Sequence, residues 1–145
     1  MTFSEAVHTC LREKLFTTSG RAARSEYWWF ALFNLTAIVG ILLVGTAVLG
    51  ETVGIFLAGA TGLLLLIPSL TVAIRRLHDR NMSGWWLLLA FIPNIGQLAL
   101  FVLYALPGTT GANRFGPDSL GGDTDWPDDD DTGLSPSSIP RVDRE

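Results

Sequence analysis

Residues 27–50, YWWFALFNLTAIVGILLVGTAVLG, and residues 52–74, TVGIFLAGATGLLLLIPSLTVAI, carry no charged side chain and are separated by Glu51 alone. A helix rises about 1.5 Å per residue, so about 20 apolar residues cross the roughly 30 Å hydrocarbon core of a bilayer. Both stretches meet that length, and a third uncharged run extends from Asn81 to Asn113. With 48% hydrophobic and 17% charged residues, the 145-residue chain has the composition of a membrane protein rather than of a soluble domain. The fold class expected is all-α: an integral membrane bundle of three transmembrane helices, with an N-terminal amphipathic surface helix and a disordered acidic C-terminal tail.

The first two spans are placed at about 28–49 and 53–74. Only Gly50, Glu51 and Thr52 lie between them, so they form a tight helical hairpin. On the second span Gly54, Ala58 and Gly62 recur every four residues, an arrangement that lets two helix backbones approach closely in lipid. The partner expected is the first span, with Thr36 and Gly40 as the opposing small residues; another subunit is the alternative. Pro68 should kink or loosen the second helix, since it lacks the N–H that the preceding turn needs.

The third span, about 85–106, is long enough to cross but is interrupted near its middle by Pro93, Asn94, Gly96 and Gln97. Irregular backbone at that depth requires burial in protein, so a kinked full crossing is the reading adopted. The alternative is a re-entrant pair, Trp85–Ile92 and Gln97–Leu106, which would return the chain to the side it came from.

Charge sets the orientation. Arg12, Lys14, Arg21 and Arg24 precede the first span and Arg75, Arg76 and Arg80 follow the second, whereas the hairpin between them holds only Glu51. The positive-inside rule therefore places the N-terminus and the 75–83 loop in the cytoplasm. Trp28, Trp29, Trp85 and Trp86 then fall at one membrane interface, where indole rings anchor. Residues 1–26 lack the apolar core of a cleavable signal. Thr2 and Glu5 have capping-box spacing, and Phe3, Ala6, Val7, Cys10, Leu11 and Leu15 form an apolar stripe, either lying in the interface or capping the bundle. Nine of the 14 acids lie in the last 39 residues, so the net charge of −4 belongs to the tail, read as disordered from 119 to 145. Asp128–Asp131 lacks the spacing of a calcium loop. With His8 and His78 the only histidines and Cys10 the only cysteine, no metal site, cofactor or disulfide framework is indicated. The residues before the tail do not form a nucleic-acid patch.

Three motifs stand outside the apolar cores. They are Gly20-Arg21-Ala-Ala-Arg24-Ser25-Glu26-Tyr27-Trp28, then Arg75-Arg76-Leu77-His78-Asp79 leading to Ser83-Gly84-Trp85-Trp86, and Asn113-Arg114-Phe115-Gly116-Pro117-Asp118. Their order and placement around the spans resemble the bacterial DUF805 family of small inner-membrane proteins over residues 3–118. The resemblance implies an integral membrane protein without an established activity. Two local departures are a longer approach, Phe16–Gly20, to the first motif, and Ser119 where a proline often follows the third.

The chain divides accordingly into 1–26, the cytoplasmic helix and first motif; 27–118, the transmembrane part with the third motif; and 119–145, the tail. The candidate site is the set Arg21, Arg24, Glu26, Arg75, Arg76, His78, Asp79, Arg80 and Arg114. Arg75 and Asp79 are one helical turn apart and suited to pair, while Glu26 can reach another arginine across the bundle. Arginine forks also suit phosphate oxygens, so anionic lipid headgroups, or a protein partner, are the expected ligands of a noncatalytic module. The alternatives are a membrane-embedded enzyme acting on headgroups and a small oligomeric channel or transport component. His78 and Asp79, as helix neighbours, point about 100° apart and do not make a base and its orienter. No ionisable residue lies within the spans, where transport pathways place them. Asn34, Asn94 and Gln97 suit interhelical hydrogen bonds instead, and self-association of so thin a bundle is expected.

Overall fold

The computed structural model describes residues 1–120, all helix and loop without a β-strand. In order come α1 (Phe3–His8), a π-helical turn (Thr9–Glu13), α2 (Arg24–Leu49), α3 (Glu51–Asp79), a 3-10 helix (Gly84–Phe91) and α4 (Ile95–Ala105). The tail from 121, with its aspartate run, lies outside the described residues.

α2 and α3 are each long and apolar enough to cross a membrane. They turn on Gly50 alone, whose φ of 91° suits glycine. The resulting antiparallel register sets Gly45 against Gly54, Ile38 against Gly62 and Asn34 against Ser69. The small-residue stripe therefore faces α2, as the intrachain reading expected, but its partners are Gly45 and Thr46 rather than Thr36 and Gly40. A Cβ on Gly54 would drive into the Thr46 backbone, whereas one on Gly40 would meet nothing within 4 Å. The one-residue turn fixes this register. Asn34 donates to Ser69 Oγ at 2.7 Å, and Ser69 donates on to the Leu65 carbonyl at 2.5 Å, beside Pro68, through which α3 continues helical.

The continuous third helix is not formed. Pro93 has no N–H to donate, and Ile92 before it is extended (φ −90°, ψ 107°). Asn94 then adopts φ 62° and ψ −62°, closing a strained γ-turn in which Ile95 N–H donates to the Pro93 carbonyl at 2.7 Å. The chain reverses there. Gly96 permits the close return, since a Cβ at that position would collide with the Leu89 carbonyl. The 3-10 helix and α4 thus form two arms of a hairpin. Both arms are rooted at one end of the α2–α3 pair: Met82 packs with Leu77 and Tyr104 there, and Leu106 lies within reach of Arg76. The expected single kinked helix over 85–106 is instead two arms folded back on each other, the shape of the re-entrant alternative, because proline, asparagine and glycine within four residues complete a turn rather than a bend.

α1 is shorter than its stripe suggested. Its capping box is made, with Thr2 Oγ1 accepting from Glu5 N–H at 3.4 Å and Glu5 accepting from Thr2 N–H at 2.7 Å. Phe3 meets Trp29 edge-on at 5.8 Å, and Cys10 enters a core cluster with Ala22, Phe30 and Val72. This segment packs against the start of α2 and the last turns of α3.

Candidate functional site

Helix α3 ends at Asp79, and the carbonyls of its last turn have no partners within the helix. The first motif, the third motif and Thr109, between α4 and the third motif, bond to carbonyls at this end. Ala22 N–H donates to the Arg75 carbonyl at 3.1 Å, Asn113 Nδ2 to that of His78 at 3.0 Å, and Thr109 N–H to that of Asp79 at 2.8 Å. Gly108 makes this contact possible: a Cβ there would collide with the Asp79 carboxylate. The three sequence motifs are therefore one structural unit at the end of α3.

Side chains extend the unit into two buried ion-pair groups. In the first, Arg75 Nη1 donates to Glu26 Oε1 at 2.6 Å, beside the Cys10 thiol, which lies 3.8 Å from the same oxygen. Burial, and then the charge of Glu26, push that thiol up to about 11, so it stays protonated near neutral pH. In the second, Asp79 Oδ1 accepts from Arg21 Nε at 2.9 Å and from Ser119 Oγ at 2.6 Å, while Oδ2 accepts from Arg76. Arg21 continues to the Gly111 carbonyl at 2.6 Å and lies 3.7 Å from Asp118; Arg76 continues to the carbonyls of Tyr104 and Leu106. Arg75 and Arg76 are fully buried. Buried charges persist only when paired and hydrogen-bonded, and these are.

The pairing differs from the helical-turn expectation. Asp79 takes Arg76 and Arg21, and Arg75 takes Glu26 instead. The cause is the direction in which each guanidinium leaves α3: Arg75 points toward the N-terminal turn and the start of α2, where Glu26 is the acceptor, whereas Arg76 points toward the 106–119 loop.

A third group lies at the rim. His78 stacks on Phe115 with ring centroids 3.8 Å apart and planes 3° from parallel, and the Arg114 guanidinium lies over the Phe115 ring, 4.7 Å from its centroid, while donating to the Asn81 carbonyl at 3.0 Å. Burial, with the Arg114 charge behind it, holds the His78 pKa below its ordinary value. Arg114 thus joins the end of α3, and with it the third motif. Asp118 accepts from the Leu120 and Gly111 N–H groups, each at 3.0 Å; these bonds, and then Arg21, hold its carboxyl below the usual range.

Of the nine candidates, Arg21, Glu26, Arg75, Arg76 and Asp79 are internal and paired with one another, Arg75 Nε alone of their buried nitrogens lacking an acceptor, and His78 is packed. Arg24, Arg80 and Arg114 have no carboxylate partner among the described residues. Arg24 is exposed at the mouth of a cavity of about 110 Å³ that Asp79, Gly108, Asp118 and Ser119 also line. Arg80 Nε and Nη1 are shut from solvent without an acceptor. Trp28, Trp29, Trp85 and Trp86 are exposed on the outside of the bundle. The candidate set omitted Cys10, Gly108, Thr109, Asp118 and Ser119; Cys10 stood in the apolar stripe, Asp118 within a recognised motif and Ser119 just after it, but nothing in the sequence marked Gly108 or Thr109. Asn34 makes its interhelical bond, whereas Asn94 and Gln97 are exposed at the hairpin tip. Among the described residues no cluster of three or more metal-ligating side chains occurs.

Two membrane-length helices with outward leucines, a short hairpin beside them and a buried arginine–carboxylate lattice at one end define a small helical membrane protein. Residues 15–117 match the family model described as protein of unknown function, DUF805, and the chain belongs to that family. The inner membrane protein YhaI of Escherichia coli K12 is 48% identical over 103 residues, covering 69% of this chain and 83% of that one. YhaH of the same strain, also described as an inner membrane protein, is 46% identical over 68% and 84%. The uncharacterized protein YiiR is 29% identical over 75% and 90%. No solved structure matches the chain.

Proposed function

We propose that this chain is a noncatalytic inner-membrane module that binds anionic lipid headgroups on its cytoplasmic face through Arg24, Arg80 and Arg114. α2 and α3 cross the membrane, and the hairpin of the 3-10 helix and α4 enters and leaves on the cytoplasmic side. The orientation follows from the bases gathered at the Arg24 and Asp79 end, against Glu51 alone at the other. The inner membrane is where the relatives YhaI and YhaH are named.

One observation carries the reading: the buried carboxylates are already taken by Arg21, Arg75 and Arg76, which leaves Arg24, Arg80 and Arg114 without a carboxylate partner among the described residues. Arginine donors suit phosphate oxygens, and a juxtamembrane arginine gains about 1 kcal/mol from an anionic leaflet. Asp79 is no base for a headgroup hydrolase, because both its oxygens are engaged by Arg21, Arg76 and Ser119.

Native mass spectrometry from nanodiscs of mixed phosphatidylglycerol and phosphatidylcholine tests it. The protein should retain phosphatidylglycerol preferentially, and the combined change Arg24→Gln, Arg80→Gln and Arg114→Gln should abolish the preference with the fold intact. A preference unchanged by the triple variant overturns the reading. Arg75→Ala and Arg76→Ala are unsuitable probes, because they remove buried structural partners.

A further inference from the structure

The chain leaves the bundle at the arginine rim. Ser119 Oγ donates to Asp79 Oδ1 at 2.6 Å, and Asp79 immediately precedes Arg80. Leu120, exposed at 76%, lines the same small cavity as Arg24. Arg114 belongs to this edge through its bond to the Asn81 carbonyl at 3.0 Å. The segment that follows therefore starts beside the three arginines that have no carboxylate partner among the described residues. It is strongly acidic: positions 121–131 hold Asp123, Asp125, Asp128, Asp129, Asp130 and Asp131 and no base, and the next basic residue is Arg141. The charge of the chain divides at this point. Residues 1–120 carry eight bases and six acids, a net of +2, whereas residues 121–145 carry two bases and eight acids, a net of −6.

We infer that the acidic segment 123–131 docks on Arg24, Arg80 and Arg114 of its own chain and competes there with anionic headgroups, so that the rim carries its own inhibitor. The guanidinium fork that suits phosphate oxygens suits carboxylates equally. Reach does not limit the contact: Asp123 lies three residues and Asp128 eight beyond Leu120, and an extended chain of about 3.5 Å per residue spans roughly 28 Å over the longer of the two. A short tether gives the segment an effective concentration in the millimolar range, against which a free anion has to compete. The contact is reversible, since exposed ion pairs are individually weak and screened by salt. An anionic leaflet shifts the balance twice over, by attracting the arginines and by repelling the aspartates. The family match ends at residue 117, so the inhibitor is appended to a rim that the matched part already forms. Competition with headgroups rests on the lipid-binding reading above; docking of the segment on the arginines does not.

Carbodiimide cross-linking, which joins a carboxylate to an amine at zero length, tests the docking in the full chain. Lys14 is the single natural lysine, and Arg24→Lys, Arg80→Lys and Arg114→Lys, made one at a time, keep the positive charge while adding an amine. Arg12→Lys, at an exposed arginine of the N-terminal turn outside the rim, is the comparison. In nanodiscs of phosphatidylcholine alone, peptides containing Asp123–Asp131 should be joined within one chain to the amines at 24, 80 and 114 several-fold more than to that at 12. The yield should fall several-fold in high salt and in nanodiscs containing phosphatidylglycerol. With the arginines native, changing the six aspartates of 123–131 each to asparagine should raise phosphatidylglycerol retention several-fold by native mass spectrometry. Rim cross-links no more frequent than at Arg12→Lys, cross-links formed only between chains, or a phosphatidylglycerol preference that the six changes leave unaltered would each overturn the proposal. General repulsion between segment and leaflet is told apart, because it would raise retention without any rim cross-link. Rim cross-links with no phosphatidylglycerol preference in either chain would refute the headgroup reading and leave the docking in place.

Discussion

Arg75 and Glu26 are joined at 2.6 Å, with side-chain exposures of 0% and 5%, and so tie the end of α3 to the first turn of α2. Removing one member of such a pair leaves a buried charge without compensation, at a cost of about 3–5 kcal/mol, whereas replacing both with apolar groups of similar size is often neutral. Arg75→Met and Glu26→Leu should each destabilise by about that amount, and the double change should recover most of the loss. Unfolding titrations in mixed micelles measure it; a double variant as unstable as the sum of the singles contradicts the pairing.

Gly54 and Gly40 separate the close approach of α2 and α3 from mere small size. Gly54→Val drives side-chain atoms into the Thr46 backbone and should lower stability by about 1–3 kcal/mol or more, as overpacking does. Gly40→Ala enters open space and should be neutral or slightly stabilising, since alanine favours the helix by roughly 1 kcal/mol. Thermal transitions in detergent discriminate the two, and equal losses would reject the register.

Much of this was legible in the sequence. The apolar stretches gave α2 and α3 because uncharged length is a strong signal, and the capping box gave α1. The three motifs named the residues that gather at the end of α3. What stayed hidden depended on geometry that periodicity does not carry. The one-residue turn at Gly50 shifted the facing partners from Thr36 and Gly40 to Gly45 and Thr46. The γ-turn at Asn94 made two arms from a stretch long enough for one helix. Ion-pair partners depended on which way each arginine left α3, and so Arg75 found Glu26 rather than Asp79. Ser119, outside the third motif as read from sequence, proved to be a ligand of Asp79.

Asp118 fastens the 106–120 segment to the end of α3, and its pH dependence has a definite sign. Its folded pKa lies below the ordinary value of 3.8, chiefly through the Leu120 and Gly111 N–H groups, with Arg21 adding to them. A depressed carboxylate stabilises fully above its unfolded pKa and ceases to do so as pH falls through its folded value. Hydrogen exchange at the Gly111 and Leu120 amides, corrected for intrinsic rates, should therefore show steady protection from pH 7 to pH 5 and lose it below about pH 4. Asp118→Asn should remove both the protection and its acid dependence. Protection that persists in that variant would assign the fastening to other contacts.

The return of α4 to the Asp79 end of α3 makes the side of the carboxy-terminus a measurable consequence. Arg76 reaches the carbonyls of Tyr104 and Leu106, Arg21 reaches that of Gly111, and Arg114 reaches that of Asn81, so the chain after α4 is held beside the arginines that precede α2. If those arginines face the cytoplasm, as their asymmetry with Glu51 argues, residue 120 does too. A phosphatase fused after Glu145 should be inactive and a green fluorescent reporter there bright, with the same result at the N-terminus and the opposite result for a fusion within the Gly50 turn. Replacing Pro93, Asn94 and Gly96 together by leucine removes the residues that make the reversal, and should convert the hairpin into a full crossing that carries the carboxy-terminal reporter to the other side. A phosphatase already active after Glu145 in the unaltered chain would show that the segment crosses, and would separate the third motif from the other two.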